Sequence, residues 1–283
     1  MMKQKGNVIE NWDSSYKAFS TTYDERLVTP GNISNFVQFQ FVYEDVKKYL
    51  SDVSDPKILE VGCGGARTSL YLSLRGYNVT CADNASEAIR LARDNFASKN
   101  ARGAFALDDL LNSSFPAGSF DCVMSFGLLE HFTDISAPIR ATTKLLKPGG
   151  IHIHCVIPKK ASSQTLMDAV YFPARFVRNA WRNRSFRNIL KKSFRDFPHY
   201  ENSFSERYYA DVFRKENCEV LKCEAGSFLF PFFALPFGIG NLISRCFSRF
   251  LVGVIRMTDR SQSRLMHLVS PTFYIVCRKN KAS

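Results

Sequence analysis

The sequence predicts an α/β fold built on a doubly wound, mostly parallel sheet. Three observations lead there. Apolar runs of strand length recur through the first half, separated by segments with helical spacing. The first run, Ile58, Leu59 and Val61, passes directly into Gly62, Gly64 and Gly65 and then into helix-forming residues from Arg67 to Leu74. The fourth, Phe120 to Ser125, is almost continuously apolar after its aspartate, as a strand covered on both faces should be.

In chain order, residues 8–30 hold Trp12, Tyr16, Phe19 and Tyr23 among polar neighbours, the first three at a weak helical spacing. Pro30 and Gly31 are expected to break the chain. Phe36 to Leu50 reads as a helix with Phe36, Phe39 or Phe41, Val42, Val46 and Leu50 on one side, and Asp52 to Pro56 as a linker. After the glycine turn, Gly76 caps the helix C-terminus. Asn78 to Asp83 is the second strand, followed by a helix from Ser86 to Lys99. Gly103 to Asp109 is the third strand. Leu145 to Gly150 reads as a turn before a fifth strand, Ile151 to Val156. Ser203 to Glu206 has the form of a capping box opening a helix to about Glu216. Cys218–Cys223 and Phe273–Cys277 are the last two strands.

With 283 residues, 45% of them hydrophobic, the chain can bury a substantial core. Its net charge of +12 is unevenly placed. Residues 1–156 carry 16 Lys and Arg against 17 Asp and Glu, whereas residues 157–283 carry 22 against 9. The second half therefore suits an acidic partner or an anionic surface, or simply presents a solvated basic face. None of the eight cysteines makes a Cys-x-x-Cys or metal-ligand spacing, so no metal is expected. Free cysteines in apolar runs and a polar N-terminus with no secretory apolar region predict a cytoplasmic protein.

The glycine turn carries the chemistry. A strand, a tight glycine bend and a helix start bring free backbone N–H groups and a partial positive charge to one point. A dinucleotide fingerprint would need a small residue at position 67, where Arg67 stands. Asp83 ends the second strand 21 residues after Gly62, where a βαβ unit sets a carboxylate beside a ribose; it could otherwise cap the following helix. His131 follows the fourth strand, at the carboxyl edge where open sheets bind ligands. His152 and His154 lie within a strand and read as structural.

Leu-Glu-Val-Gly-Cys-Gly at 59–64, Asp83, Asp-Cys-Val-Met-Ser at 121–125, Leu-Glu-His at 129–131 and Leu-Lys-Pro-Gly-Gly at 146–150 occur in order. Together this set resembles the class I S-adenosylmethionine (SAM)-dependent methyltransferases, in the small-molecule branch of quinone and natural-product enzymes. The likeness spans about residues 55–157, with Ala66 where the family often has glycine. The resemblance implies strand order 3-2-1-4-5-7-6 and SAM as cofactor. It also implies a cofactor site of Glu60, Gly62, Cys63, Gly64, Asp83, Asn84, Asp108 and Phe126, with Asp109 the nearest rival to Asp108 for the adenine amino group. His131 is then the candidate general base, or Glu130 and His131 only shape the loop. The aromatics of an N-terminal segment, 1–50, either fold over the cofactor or pack on the domain.

The expected organisation is that segment, a SAM-binding core at 51–157, a basic insertion at 158–204, and the end of the sheet at 205–283 with an apolar insertion at 226–256. Between Val170 and Arg195 lie Arg175, Arg178, Arg182, Arg184, Arg187, Lys191, Lys192 and Arg195 and no acidic residue, interleaved with aromatics. Two short basic amphipathic helices are expected, as a cap over the site, on an anionic membrane surface or, less favoured, on RNA. Residues 226–244 are uncharged over 19 positions, but Pro231, Pro236 and Gly238 argue against a spanning helix. The function expected is methyl transfer to an O or N atom of a small molecule, in places lipid-linked or membrane-presented. The rivals are RNA methylation and SAM binding without turnover. The sequence leaves the oligomeric state open.

Overall fold

The computed structural model describes residues 12, 13, 16, 23–182, 202–229, 232 and 238–281. Seven strands form one sheet in the order β3-β2-β1-β4-β5-β7-β6. They are β1 (Lys57–Val61), β2 (Asn78–Asp83), β3 (Ala104–Leu107), β4 (Phe120–Phe126), β5 (Leu146–Val156), β6 (Cys218–Gly226) and β7 (Thr272–Lys279). The first five pair in parallel, and β7 runs antiparallel between β5 and β6. This is the expected order and fold.

The helices are α1 (Pro30–Tyr49), α2 (Arg67–Ser73), α3 (Ser86–Ser98), α4 (Ser136–Leu145), α5 (Ser163–Arg182), α6 (Glu206–Lys215), α7 (Ile239–Thr258) and α8 (Arg264–Val269). Strand alternation divides the core between two faces. Ile58, Cys122, Met124, Ile151 and Ile153 pack with Val42 and Val46 of α1, Leu70 of α2 and Phe96 of α3. On the other side Ile139 of α4 and Tyr209 and Phe213 of α6 pack with Phe273 and Ile275 of β7. Outside α1, Leu251 and Ile255 of α7 close over Ile33, Val37 and Phe41.

Three local expectations need correcting. Pro30 starts a helix instead of breaking the chain: the Thr29 hydroxyl accepts the Asn32 N–H, and Pro30 falls in the first turn, where no N–H is needed. The cap of α6 is Ser205, whose Oγ accepts from Tyr208 N at 3.4 Å, so Ser203 is not the cap. The 146–150 stretch is strand, because β5 extends back to pair Leu146 with Phe120 across an irregularity in β4. Of the two expected basic helices, the first appears as the single 20-residue α5, with Pro173 inside it. The second, around Phe186 to Phe194, lies outside the described residues, as do most of residues 230–237.

His152 and His154 are fully buried, as a structural role requires. They join a chain of hydrogen bonds from Ser125 Oγ to His154 (2.7 Å), His154 to His152 (3.1 Å) and His152 to Thr143 Oγ1 (3.1 Å). Burial depresses both imidazoles, His154 to about 3, so both are neutral at pH 7.

Charges bind α1, β6 and the end of α7 together. Lys222 Nζ meets Asp45 at 2.7 Å and Glu224 at 3.1 Å, and Arg260 reaches Asp45, Glu224 and Glu44. The Lys222 and Asp45 side chains are each only 7% exposed. Removing Asp45 leaves the Lys222 and Arg260 cations to share Glu224 and Glu44, while also removing a carboxyl that burial pushes up to about 7. Asp45→Ala should therefore lower unfolding stability by about 2 kcal/mol in chemical denaturation. A loss under roughly 1 kcal/mol, the value for a surface pair, would show that water shares the network.

Candidate cofactor and active site

The site is built at the carboxyl ends of β1, β2, β3 and β4. After β1 the chain turns through Gly62 (φ 61°), Gly64 (φ 51°) and Ala66 (φ 49°), three left-handed positions within five residues. A side chain at Gly64 would strike the Tyr16 hydroxyl at 2.8 Å, and one at Gly62 would strike Leu128 at 2.8 Å. Ala66 takes the same conformation with a Cβ, which costs about 1–2 kcal/mol. Its N–H donates to Cys63 O at 2.7 Å, and it begins α2 as the N-cap position.

Two acids hold this turn. Asp83, at the tip of β2, accepts the Gly64 N–H on Oδ2 and the Ala85 N–H on Oδ1, both at 2.9 Å. It therefore braces the glycine turn and does not cap α3, whose cap position is Ala85. Burial raises its carboxyl above the ordinary range, and the N–H groups of Gly64, Ala85 and Asn84 draw it back. Glu60 shares the face of Ile58 and lies under α2. Its Oε2 accepts the Ser69 N–H at 3.0 Å and the Ser69 hydroxyl at 2.5 Å. Burial pushes Glu60 up to about 7 against those bonds. The largely buried Arg67 guanidinium supplies its nearby positive charge, and the same burial lowers Arg67.

The remaining positions divide by what their side chains do. Cys63 is buried against Cys81, which with burial raises its thiol, and its Sγ donates to Gly64 O at 3.7 Å. Asn84 is exposed next to Asp83. Asp108 N donates to Asp83 O at 3.0 Å, tying β3 to the β2 tip, while its Oδ1 accepts both donors of Ser114 at 2.8 Å. Asp109 caps the 3₁₀ turn Leu110–Asn112, using Oδ1 for Leu111 N and Oδ2 for Asn112. Phe126 ends β4, half-buried against the α1–α3 core.

His131 closes the 3₁₀ turn Leu129–His131 after β4, with the Trp12 ring edge-on at 5.1 Å. Tyr16 stands over Gly64, and Asp13 accepts the Glu87 N–H at the start of α3. Burial, then Asp83, raises the Tyr16 phenol, which stays neutral.

Two residues carried no sequence signal. Asn202 clamps the histidine turn from outside: its Nδ2 donates to Leu129 O (3.1 Å) and Phe132 O (2.8 Å), and its N–H to Glu130 O (3.2 Å). Tyr209 Oη in turn donates to Asn202 Oδ1 at 3.3 Å. Asn95 of α3 donates to Gly65 O at 2.8 Å and accepts the Tyr23 N–H at 3.0 Å, joining turn and N-terminal segment. Both are contacts between residues distant in the chain, which local spacing does not encode.

The family model for a methyltransferase domain matches residues 58–150. Those residues form a class I methyltransferase domain. They contain the glycine turn, Asp83, Asp108 and the Glu130–His131 turn. The domain is similar to the ubiquinone biosynthesis O-methyltransferase of Xanthomonas oryzae pv. oryzae (strain PXO99A), 36% identical over 102 residues. That match covers 35% of this chain and 42% of the relative. The same-named protein of Rickettsia bellii (strain OSU 85-389) is 29% identical over 143 residues, covering 48% and 58%. The chain thus spans about half the length of the curated relatives it matches. The fold is that of a SAM-dependent methyltransferase from Aquifex aeolicus (TM-score 0.54, 10% identity, 94% of this chain and 98% of that one). It is also that of the cyclase SpnF (TM-score 0.53, 15% identity, 86% and 81%).

The cofactor of the domain is SAM, and the residues present fit it. The turn leaves room that a Cβ at Gly62 or Gly64 would fill. A carboxylate has about four acceptor directions. The Gly64 and Ala85 N–H groups each take one direction on a different Asp83 oxygen, and the Asn84 N–H draws on the same carboxylate, which leaves acceptor capacity for ribose hydroxyls.

Glu130 is fully buried, and neither carboxylate oxygen has a hydrogen-bond partner among the described residues. Burial pushes it up to about 8, with the nearby N–H groups of Glu130 and Ile157 offsetting part. Its folded pKa lies above its unfolded value, so the native state holds the extra proton between about pH 4.5 and 8 and loses stability as pH rises through that window. Glu130→Gln should flatten the fall in stability between pH 5 and 8 by up to about 1.4 kcal/mol per pH unit. Denaturation curves at several pH values that stay parallel for the two proteins would contradict a buried, protonated Glu130.

Proposed function

We propose that the chain is a SAM-dependent methyltransferase acting on an oxygen of a small molecule, with nitrogen the second choice. The observation that carries this is the convergence of a braced glycine turn, Asp83 and His131 on one edge of the sheet within a methyltransferase domain. The names of the Xanthomonas and Rickettsia relatives favour oxygen as the acceptor.

In this reading Asp83 takes the ribose hydroxyls and Asp108 the adenine amino group, through the oxygen not given to Ser114. Asp109 is the weaker candidate, because both its oxygens serve the 3₁₀ turn. Glu60 acts indirectly by fixing Ser69 and the start of α2. Gly62, Cys63 and Gly64 contribute backbone, and Asn84 and Phe126 flank the adenosine. When bound, SAM supplies an activated methyl group for in-line displacement. The protein's share is alignment and exclusion of water, which is worth roughly 7–11 kcal/mol. Trp12 and Tyr16 would seal the site from the N-terminal segment. His131, held by the Asn202 clamp and the Trp12 edge, would take the acceptor hydroxyl's proton as the new bond forms. The basic, aromatic second half fits an acceptor held at an anionic membrane surface.

The cyclase SpnF shares this fold, so SAM binding without methyl transfer is the alternative. Release of S-adenosylhomocysteine from the purified protein, isotope-labelled SAM and a panel of catechols, phenols and amines separates the two. Turnover with a phenolic acceptor is expected, and binding of SAM with no product from any acceptor of the panel would favour the alternative. His131→Ala should lower kcat on a hydroxyl acceptor by about 10²–10⁴ with SAM affinity unchanged. An unchanged kcat would assign His131 to shaping the loop.

A further inference from the structure

Among the described residues, eleven of the fifteen large apolar side chains that stand exposed lie on α5, α7 and α8, outside the methyltransferase core. Their spacing is regular. On α5 Leu166, Val170, Val177 and Trp181 recur at intervals of four, seven and four, which puts them within roughly 60° of one another around the helix. Trp181 is 89% exposed. The opposite side of the helix carries the buried Asn179.

α7 has the same division. Leu251 and Ile255 are buried against α1. Its outer face presents Leu242 and Cys246 before the kink at Phe247, then Phe250 and Met257 beyond it, the last two 68% and 85% exposed. Arg245 and Arg249 stand exposed beside these residues, and Arg264 follows at the start of α8 next to the exposed Leu265 and Leu268. From Gly226 to Thr258 the sequence contains no Asp or Glu.

We propose that the outer faces of α5 and α7 dock on an anionic phospholipid bilayer, lying in its interface. A helix apolar on one stripe and polar elsewhere lies on a membrane, whereas one that spans it is apolar all round. Among the described residues no helix is long and apolar enough to cross. The charge selects the partner: exposed arginines without acids among them attract acidic headgroups, while their stems and the aromatic rings sit at the boundary. Dispersed singly, exposed apolar residues would mean nothing. Two continuous stripes on helices added to a compact core do carry meaning. The proposal extends the reading of a membrane-held acceptor, yet its experiment reads vesicle binding alone and can fail while methyl transfer stands.

The test is flotation of the full chain with phosphatidylcholine vesicles, with and without phosphatidylglycerol. Binding is expected with the anionic vesicles, weaker without the acidic lipid and weaker at about 0.5 M salt, where charge attraction is screened. Arg245→Glu with Arg249→Glu should weaken partitioning by about tenfold or more. Val177→Ser with Trp181→Ser, and separately Phe250→Ser with Met257→Ser, should each weaken it by about fivefold or more. All these side chains lie outside the SAM site, so calorimetry with SAM and circular dichroism verify that the variants stay folded. Wild-type protein that floats with neither vesicle would overturn the proposal, as would variants that bind as well as wild type. Sedimentation showing a dimer that the same substitutions dissociate, without vesicle binding, would assign the faces to a second copy instead.

Discussion

The bond between the Gly64 N–H and the Asp83 carboxylate governs the site. A turn with three left-handed residues has little to hold it by itself. Parallel pairing places Val61 beside Ala82, so the next residue of β2 stands next to the turn that leaves β1. Asp83 can brace that turn only because the register brings it there. The same residue is tied outward to β3 through its backbone carbonyl, which receives the Asp108 N–H. One residue thus links three strand ends and sets where a ligand can sit.

Glu60, Asp83 and Glu130 are all buried near these strand ends, and burial raises all three. Unpaired or weakly paired acids destabilise a fold on their own account. Gathered around the glycine turn, such perturbed acids are what a functional site concentrates. Glu60 is relieved by Ser69 and by Arg67. Glu130 is relieved only in part, by the nearby N–H groups of Glu130 and Ile157, and its proton is the simplest way to remain buried.

Much of this was legible in the chain itself. The strands could be read because each pairs an apolar run with a turn, and the position of Asp83 followed from the length of one βαβ unit. Expectations failed where two local signals competed. Pro30 can end a helix or begin one, and the Thr29 side chain decides which. Ser203 and Ser205 are both good caps, and the choice falls to the buried position of Tyr209 one turn later. The Asn202 clamp and the Lys222–Asp45–Arg260 network were invisible for another reason: they join residues separated by 70 and 177 positions or more, and only the folded sheet brings them together. Residue Tyr16 over Gly64 is a further such case, suggested by its aromatic character but placed only by tertiary structure.

The most direct measurement of the central claim is isothermal titration of SAM into the wild-type protein, Asp83→Asn and Asp83→Ala. The asparagine variant keeps a side-chain oxygen to receive the Gly64 N–H, while losing the charge that strengthens bonds to hydroxyls. The account predicts that the alanine variant binds SAM at least roughly a hundredfold more weakly, two charge-assisted hydrogen bonds being lost, with asparagine between. Equal affinity in all three proteins would place the cofactor elsewhere and contradict the account.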